Sequence, residues 1–192
     1  MEINISQNKI SVSDKYQIYI EGQKKYFASA KLFRLLSEIN LFNYTENKTE
    51  NNAVFIIKKK WNWFKTTYDL RRFDNNVFEF TTKNMWKRHY NCIVGQDNYE
   101  IFGHNGRKYS IYKNDKQVAW WDKESVSWFN GDNYKIIADN DCDYCIIISF
   151  CLVIDNSASN DNDGNMVTID LGNFGSQAKE FDKNWQPNKN IQ

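Results

Sequence analysis

The sequence predicts a β-rich (α+β) protein: a closed antiparallel barrel of about twelve strands around a central hydrophobic helix near the C-terminus. Three observations carry this reading. In 192 residues, 11 Tyr, 13 Phe and 7 Trp stand against a single Pro, and aromatic side chains suit a pleated, half-buried surface. Short runs of period-2 alternation recur along the first 140 residues at near-even spacing. One almost uninterrupted apolar run, Tyr144–Ile154, then follows in a chain that is otherwise polar.

In order, the alternating runs are KISV, YQIYIEG, KKYFASA, AVFIIKKKW, TTYDLRRF, VFEFTTK, YNCIVG, YEIFG, KYSIYK, KQVAWW, SVSWF and NYKIIA. Turn residues separate them: Glu21-Gly22, Asp74-Asn75-Asn76, Gly95-Gln96-Asp97-Asn98, His104-Asn105-Gly106, Asn114-Asp115 and Asn130-Gly131-Asp132-Asn133. The stretch from Leu41 to Asn52 reads as one long polar turn. Strands so many and so short suggest an antiparallel barrel or sandwich, and a barrel has the advantage of leaving no unpaired edge. A weak repeat fits a meander. Lys60-Trp61-Asn62-Trp63-Phe64, Lys83-Asn84-Met85-Trp86-Lys87 and Lys123-Glu124-Ser125-Val126-Ser127-Trp128-Phe129 each set a basic residue shortly before aromatics. The plainest role for these aromatics is rim or core packing.

By propensity alone IIISFCLVI would be a strand, since β-branched residues dominate it. With Tyr144 and Cys145, however, it is longer than a usual strand, and only Ser149 interrupts it. It is too short for the roughly 20 residues a membrane-crossing helix needs, so no transmembrane span is expected. Asp139, Asp141 and Asp143 precede it, offering N-cap oxygens and negative charge at the positive end of a helix dipole. The expected helix therefore covers about 141–156, with Asn156 and Ser157 as a polar exit. A helix apolar all round must be surrounded by protein, and a barrel too wide for side chains alone to fill supplies that surrounding. The domain reading is a barrel with its helix over 1–157, followed by an acidic, Asn/Asp-rich extension over 158–192.

The formal net charge of +1 conceals a division. Residues 1–140 hold 22 basic against 16 acidic side chains, and residues 141–192 hold 3 against 8. The modest excess argues against nucleic acid as a partner, although lysines interleaved with aromatics on strands can stack bases. The opening MEINISQNKI lacks the basic start and apolar stretch of a secretory signal, which suggests a cytoplasmic protein. The Asn- and Lys-rich, Pro-poor composition suggests an AT-rich bacterial genome. Cys142 and Cys145 form a C-x-x-C pair, but no second knuckle accompanies it; Cys92, Cys142, Cys145 and Cys151 read as reduced, apolar-like cysteines.

The hairpin YQIYIEGQKKYFASAKLF, the segment KKKWNWFKTTYDL, the run YEIFGHNGRKYSIYKNDKQVAWWDK, the following SVSWFNGDNYKI and the helix ending CLVIDN resemble the tubby C-terminal-like superfamily. The resemblance is to its small members related to LURP-one proteins and phospholipid scramblases, over about residues 8–157. It implies a barrel of about twelve strands around a hydrophobic helix. It also implies three functional precedents: phosphoinositide binding by basic side chains, calcium-responsive lipid association, and relatives with no assigned activity. Fold alone does not transmit any of them.

For a lipid ligand the candidate residues are Lys58, Lys59, Lys60 and Lys65 around Trp61 and Trp63, with Arg71 and Arg72 on the next strand. Clustered Lys and Arg contribute on the order of 1 kcal/mol each at an anionic membrane, and indoles favour its interface. The competing reading is a strand edge kept soluble by lysines. For calcium, Ser159, Asp161, Asp163, Gly164 and Asp170 fall at positions 1, 3, 5, 6 and 12 of an EF-hand-like loop. Ser at the first position and Asp at the twelfth weaken the match, so Asp161, Asp163 and Asp170 as metal ligands compete with a plain Asn/Asp-rich turn. No nucleophile motif, phosphate-cradling Gly loop or zinc-protease signature appears, and His89 and His104 read as surface or strand residues. The expectation is a non-enzymatic, cofactor-free domain at the cytoplasmic membrane face that binds anionic phospholipid head groups; the alternative is a protein-interaction or structural module with no small ligand.

Overall fold

Twelve strands run up and down in chain order and close on themselves. The structure, a computed structural model, describes residues 1–10, 13–33, 36–44, 53–60, 67–124, 133–160 and 177–188. The strands are β1 (Glu2–Ile10), β2 (Ser13–Ile20), β3 (Gln23–Phe33), β4 (Leu36–Asn43), β5 (Phe55–Lys60), β6 (Thr67–Arg72), β7 (Val77–Asn84), β8 (His89–Val94), β9 (Asp97–Gly103), β10 (Lys108–Lys113), β11 (Lys116–Glu124) and β12 (Asn133–Ala138), followed by one helix, α1 (Tyr144–Asn160). Each strand pairs antiparallel with its sequence neighbours, and β1 pairs with β12 through Glu2↔Ile137 to Ser6↔Asn133. The sheet therefore has no edge for another chain to extend.

The predicted class holds, but two strands differ from the sequence reading. β1 begins at Glu2, well before KISV: Ile3 and Ile5 alternate with Asn4 and Ser6, and the two isoleucines are buried. The polar alternates have low strand propensity, and the strand is held by pairing on both sides, with β2 from Ile3↔Ile20 to Ile10↔Ser13 and with distant β12. β4 runs Leu36–Asn43, with Ser37, Ile39 and Leu41 buried, so Leu41–Asn43 belong to a strand and not to a long turn. The expected run SVSWF lies outside the described residues.

Side chains alternate across the barrel wall. Ile57, Leu70, Phe80, Ile101, Ile111, Trp121 and Ile136 point inward and are fully buried. Outward positions carry cross-strand ion pairs such as Lys58–Glu38 at 3.0 Å, Lys135–Glu2 at 2.9 Å and Lys108–Asp122 at 3.6 Å. Apolar inside and charged outside is the reverse of a barrel that spans a bilayer with its strands. Among the described residues no helix is long and apolar enough to cross a membrane.

α1 occupies the axis. Ile146 to Asn156 are all buried, which no helix lying on a surface could achieve. Its contacts reach round the wall: Phe150 packs on Phe80 of β7 and Tyr99 of β9, with ring centroids 5.6 and 5.5 Å away. Asn156 Nδ2 donates to Ser37 Oγ of β4 at 2.7 Å. Asp143 caps the helix, its Oδ1 accepting the N–H groups of Cys145 and Ile146 at 3.1 and 3.2 Å. Its other oxygen is held by Arg72. The helix starts at Tyr144 and continues to Asn160, against an expected 141–156. Asn156 is no polar exit, because its amide is satisfied inside the barrel. A closed sheet has no free edge on which these residues could pair as a further strand, and a helix satisfies its own backbone.

Four polar side chains meet near the C-terminal half of α1. Tyr16 donates its hydroxyl to Asp155 Oδ2 at 2.8 Å, Tyr134 donates to Asp155 Oδ1, and Lys123 Nζ lies 3.6 Å from that oxygen. The Asp155 side chain is 1 % exposed. These bonds join the helix to β2, β11 and β12.

Candidate functional site

The basic cluster expected from the sequence is divided by the barrel wall. Lys58 and Lys60 share the outer face, as strand alternation requires, but neither offers a free charge. Lys58 is paired with Glu38, and Lys60 lies 3.0 Å from Asp69 and 2.9 Å from Glu79. Both carboxylates hold the Lys60 ammonium above its ordinary pKa. Lys59 alternates to the inner side and is half-buried. Arg71 is exposed on the outer face, while Arg72 turns toward the axis and binds the helix cap at Asp143. Trp61, Trp63 and Lys65 lie outside the described residues, as do Asp161, Asp163 and Asp170. Among the described residues no group of three His, Cys, Asp or Glu side chains could hold a metal ion.

The up-and-down order places alternate connections at the same barrel end. The helix enters from the end reached by Ala138 of β12, so the connections after β1, β3, β5, β7, β9 and β11 lie at the opposite rim, toward which α1 runs. At that rim the β7–β8 turn, Met85–Arg88, presents Trp86 at 84 % exposure and Met85 at 58 %. Lys83 and Lys87 flank them, both exposed and without an ion pair among the described residues. The turn is rooted firmly. Asn84 Oδ1 accepts the Lys87 N–H at 3.0 Å, and the Arg88 guanidinium donates to the His104 carbonyl at 2.5 Å. Gly103 makes this close approach possible, since a Cβ there would stand 2.6 Å from the Arg88 Cβ. Trp86 therefore projects from a fixed base. The repeat unit Lys83-Asn84-Met85-Trp86-Lys87 was visible in the sequence, but its exposure was not.

A second surface lies on the outer wall of β9–β11, covered by residues 177–188. This stretch belongs to the acidic extension, in a part of it for which the sequence suggests no role. It crosses the strands as an irregular strap, from Gln177 beside His104 to Asn188, whose N–H donates to Asp139 Oδ1 at 2.5 Å. Lys179 Nζ sits 3.6 Å from the Tyr112 ring centroid and 5.3 Å from that of Phe102. Phe181 packs against His104 and Trp120 at 5.2 and 5.6 Å, and Trp185 Nε1 donates to the Gln117 carbonyl at 3.1 Å. Phe102, Ser110, Tyr112 and Gln117 face outward yet are buried for this reason.

His104 lies under the strap at 1 % exposure, not on the surface. Its Nε2 is 2.6 Å from Ser110 Oγ and its Nδ1 is 3.2 Å from Gln177 Oε1. Burial lowers its pKa below the usual 6.5, partly opposed by Gln177 and the Lys179 backbone, with nearby Arg88 lowering it further. The unfolded or undocked chain therefore takes up a proton first as pH falls. Docking is fully supported above about pH 6.5 and weakens below it. The protection factors of residues 177–188, taken against the intrinsic exchange rate at each pH, are expected to fall between about pH 7.5 and about pH 5.5, and His104→Gln to flatten that response; equal protection factors at both pH values would refute it.

The remaining reactive groups are held in structural roles. His89 Nε2 bonds Glu100 Oε1 at 2.9 Å, and its ring stacks on Phe102. All four cysteines are free thiols. Burial pushes Cys92 and Cys142 up to about 12 and raises Cys145 and Cys151, which disfavours the thiolate form that a nucleophile requires.

The sequence profile described as LURP-one-related matches residues 1–155. No curated protein and no solved structure matches the chain. The matched span ends within α1 and so takes in every strand of the closed barrel and most of its axial helix, while the strap lies beyond it. On that match, and with the barrel the resemblance implies, the chain belongs to the LURP-one-related family, within the tubby-like superfamily.

Proposed function

We propose that this protein is a non-enzymatic binding module that docks peripherally on an anionic phospholipid surface through its β7–β8 turn. The observation that carries the reading is Trp86, fully projecting at 84 % exposure beside exposed Met85 and between Lys83 and Lys87. An indole and a thioether at the tip suit the head-group boundary, and the lysines suit lipid phosphates. The Lys58–Lys60 face is the weaker candidate, because its charges already face Glu38, Asp69 and Glu79. A cytoplasmic, membrane-peripheral location follows from this reading.

Flotation with phosphatidylcholine vesicles, with and without phosphatidylserine, tests it. Binding is expected only to the anionic vesicles and to fade as salt rises. Trp86→Ala with Lys87→Glu should weaken binding about tenfold or more, since reversing one charge and removing one indole together exceed 1.4 kcal/mol. Lys58→Glu with Lys60→Glu should change it much less. No anionic binding, or binding indifferent to the tip variant, would sink the reading. A second reading, a protein-interaction module, is favoured by the strap seated on β9–β11.

A further inference from the structure

We propose that the outer face of β9–β11 is a peptide-recognition groove and that residues 177–188 are its resident, displaceable ligand. The occupant that displaces them is an extended segment of a partner protein carrying a lysine two residues ahead of an aromatic. This goes beyond lipid contact and rests on different residues.

The seat reads the strap by side-chain chemistry. Tyr112 and Phe102 receive the Lys179 ammonium. Two residues on, Phe181 fills the angle between His104 and Trp120, where Lys108 also approaches its ring at 5.4 Å. The floor is polar and set in place: Ser110 Oγ is held by His104, and Gln117 Oε1 accepts the Tyr112 hydroxyl at 3.0 Å.

Two features mark the strap as a partial fit. Gln117 is 6 % exposed, and its Nε2 has no hydrogen-bond partner among the described residues. A buried donor left unmatched calls for an acceptor, which a backbone carbonyl or carboxylate of a better-fitting peptide supplies. Beside the strap a groove of about 800 Å³ stays open between Lys108 and Trp120 on the wall and Glu180 and Lys183 on the strap.

The closed barrel explains why the contact is exchangeable. With no free sheet edge, a crossing peptide cannot add a strand and is held by a few side-chain anchors and isolated backbone hydrogen bonds such as Asn188 N–H to Asp139. Lys179, Glu180 and residues 182–184 are themselves exposed. Such a segment belongs to the low-stability end of local opening. Tethering keeps it seated through an effective concentration on the order of millimolar, which a partner segment must overcome.

The test uses the full chain with Phe181→Ala and Trp185→Ala, which frees the groove without altering it, and a fluorescent peptide of the sequence QAKEFDKNWQPN. The peptide is expected to bind this variant about tenfold or more tighter than the unaltered chain, whose own strap competes. Adding Tyr112→Ala, or replacing the first of the peptide's two lysines, the counterpart of Lys179, with alanine, should each weaken binding about tenfold. In the unaltered chain, amides of 177–188 should exchange far faster than those of β10 and β11. No binding to a variant whose near-ultraviolet circular dichroism is unchanged, binding insensitive to Tyr112→Ala, or strap protection equal to the strands would each overturn the proposal. A dimer of the unaltered chain that the peptide dissolves would make a second copy the occupant and overturn the assignment to a foreign partner.

Discussion

Replacing Phe150 with alanine is expected to cost about 3–5 kcal/mol of folding stability, the range for removing a fully buried aromatic side chain. The position is extreme because of where it sits. Phe150 is 0 % exposed at the barrel axis, and its ring meets Phe80 of β7 and Tyr99 of β9. A surface helix could settle into the space left behind. An axial helix cannot, since moving toward one side of the barrel moves it away from the other and the hydrogen-bonded wall is closed. The cavity therefore persists, and the cost grows with its volume. Against a total stability of about 5–15 kcal/mol for a domain, the loss is a large fraction. Urea unfolding followed by tryptophan fluorescence measures it, with Ile93→Ala, 60 % exposed, as a control expected within about 0.5 kcal/mol of the parent. A Phe150→Ala cost below about 1.5 kcal/mol would mean the interior can repack and the helix is not tightly enclosed.

Asp155→Ala is expected to cost about 3 kcal/mol, for a different reason. Its carboxylate accepts from Tyr16 and Tyr134 and faces Lys123. Hydrogen bonds to a charged group contribute about 1.5–3 kcal/mol each, and stranded buried donors add a penalty. Lys123 contributes less than a fully buried partner would, because its side chain is 25 % exposed and water screens it. Asp155→Asn, which keeps one acceptor oxygen, should lose less than the alanine variant. Tyr16→Phe is expected to cost less in the Asp155→Ala background than in the parent, because the two groups share one bond. Additive losses in that double-mutant cycle would show that the carboxylate does not organise the tyrosines. A polar anchor here also fixes the depth of the helix: a slide or rotation of α1 would separate Asp155 from both tyrosines.

The sequence carried the architecture well and the surfaces poorly, and particular residues show why. Alternation over two residues announced β2, β3 and β5 to β12, whereas polar alternates such as Asn4 and Ser6 hid most of β1 and β4 was not announced. The run from Tyr144 could be read as an enclosed helix because no charge interrupts it and Asp143 stands ready to cap it. Lys58, Lys60 and Arg72 looked like one basic cluster in the linear chain. Their neutralising partners, Glu38, Glu79 and Asp143, come from β4, β7 and the helix cap, and only strand register brings them near. Trp86 gave a signal, as part of a basic-aromatic repeat, but exposure depends on whether the rest of the barrel covers the turn. Nothing local announced the strap. Lys179 finds Tyr112 and Trp185 finds Gln117 across long stretches of chain, and Tyr112 alternates like any outward strand residue.

By itself, then, the sequence determined that this chain forms a strand-rich barrel around an apolar helix in the LURP-one-related manner, because periodicity, turn residues and capping act within a few residues of one another. Only the tertiary structure decided which of the described lysines keep a free field, that Trp86 stands in solvent and which outward face is already occupied. Those properties are set by closure of β1 on β12 and by the strap's path over β9–β11. Both join residues far apart in the chain, and their energies depend on shared burial that no short window of sequence contains.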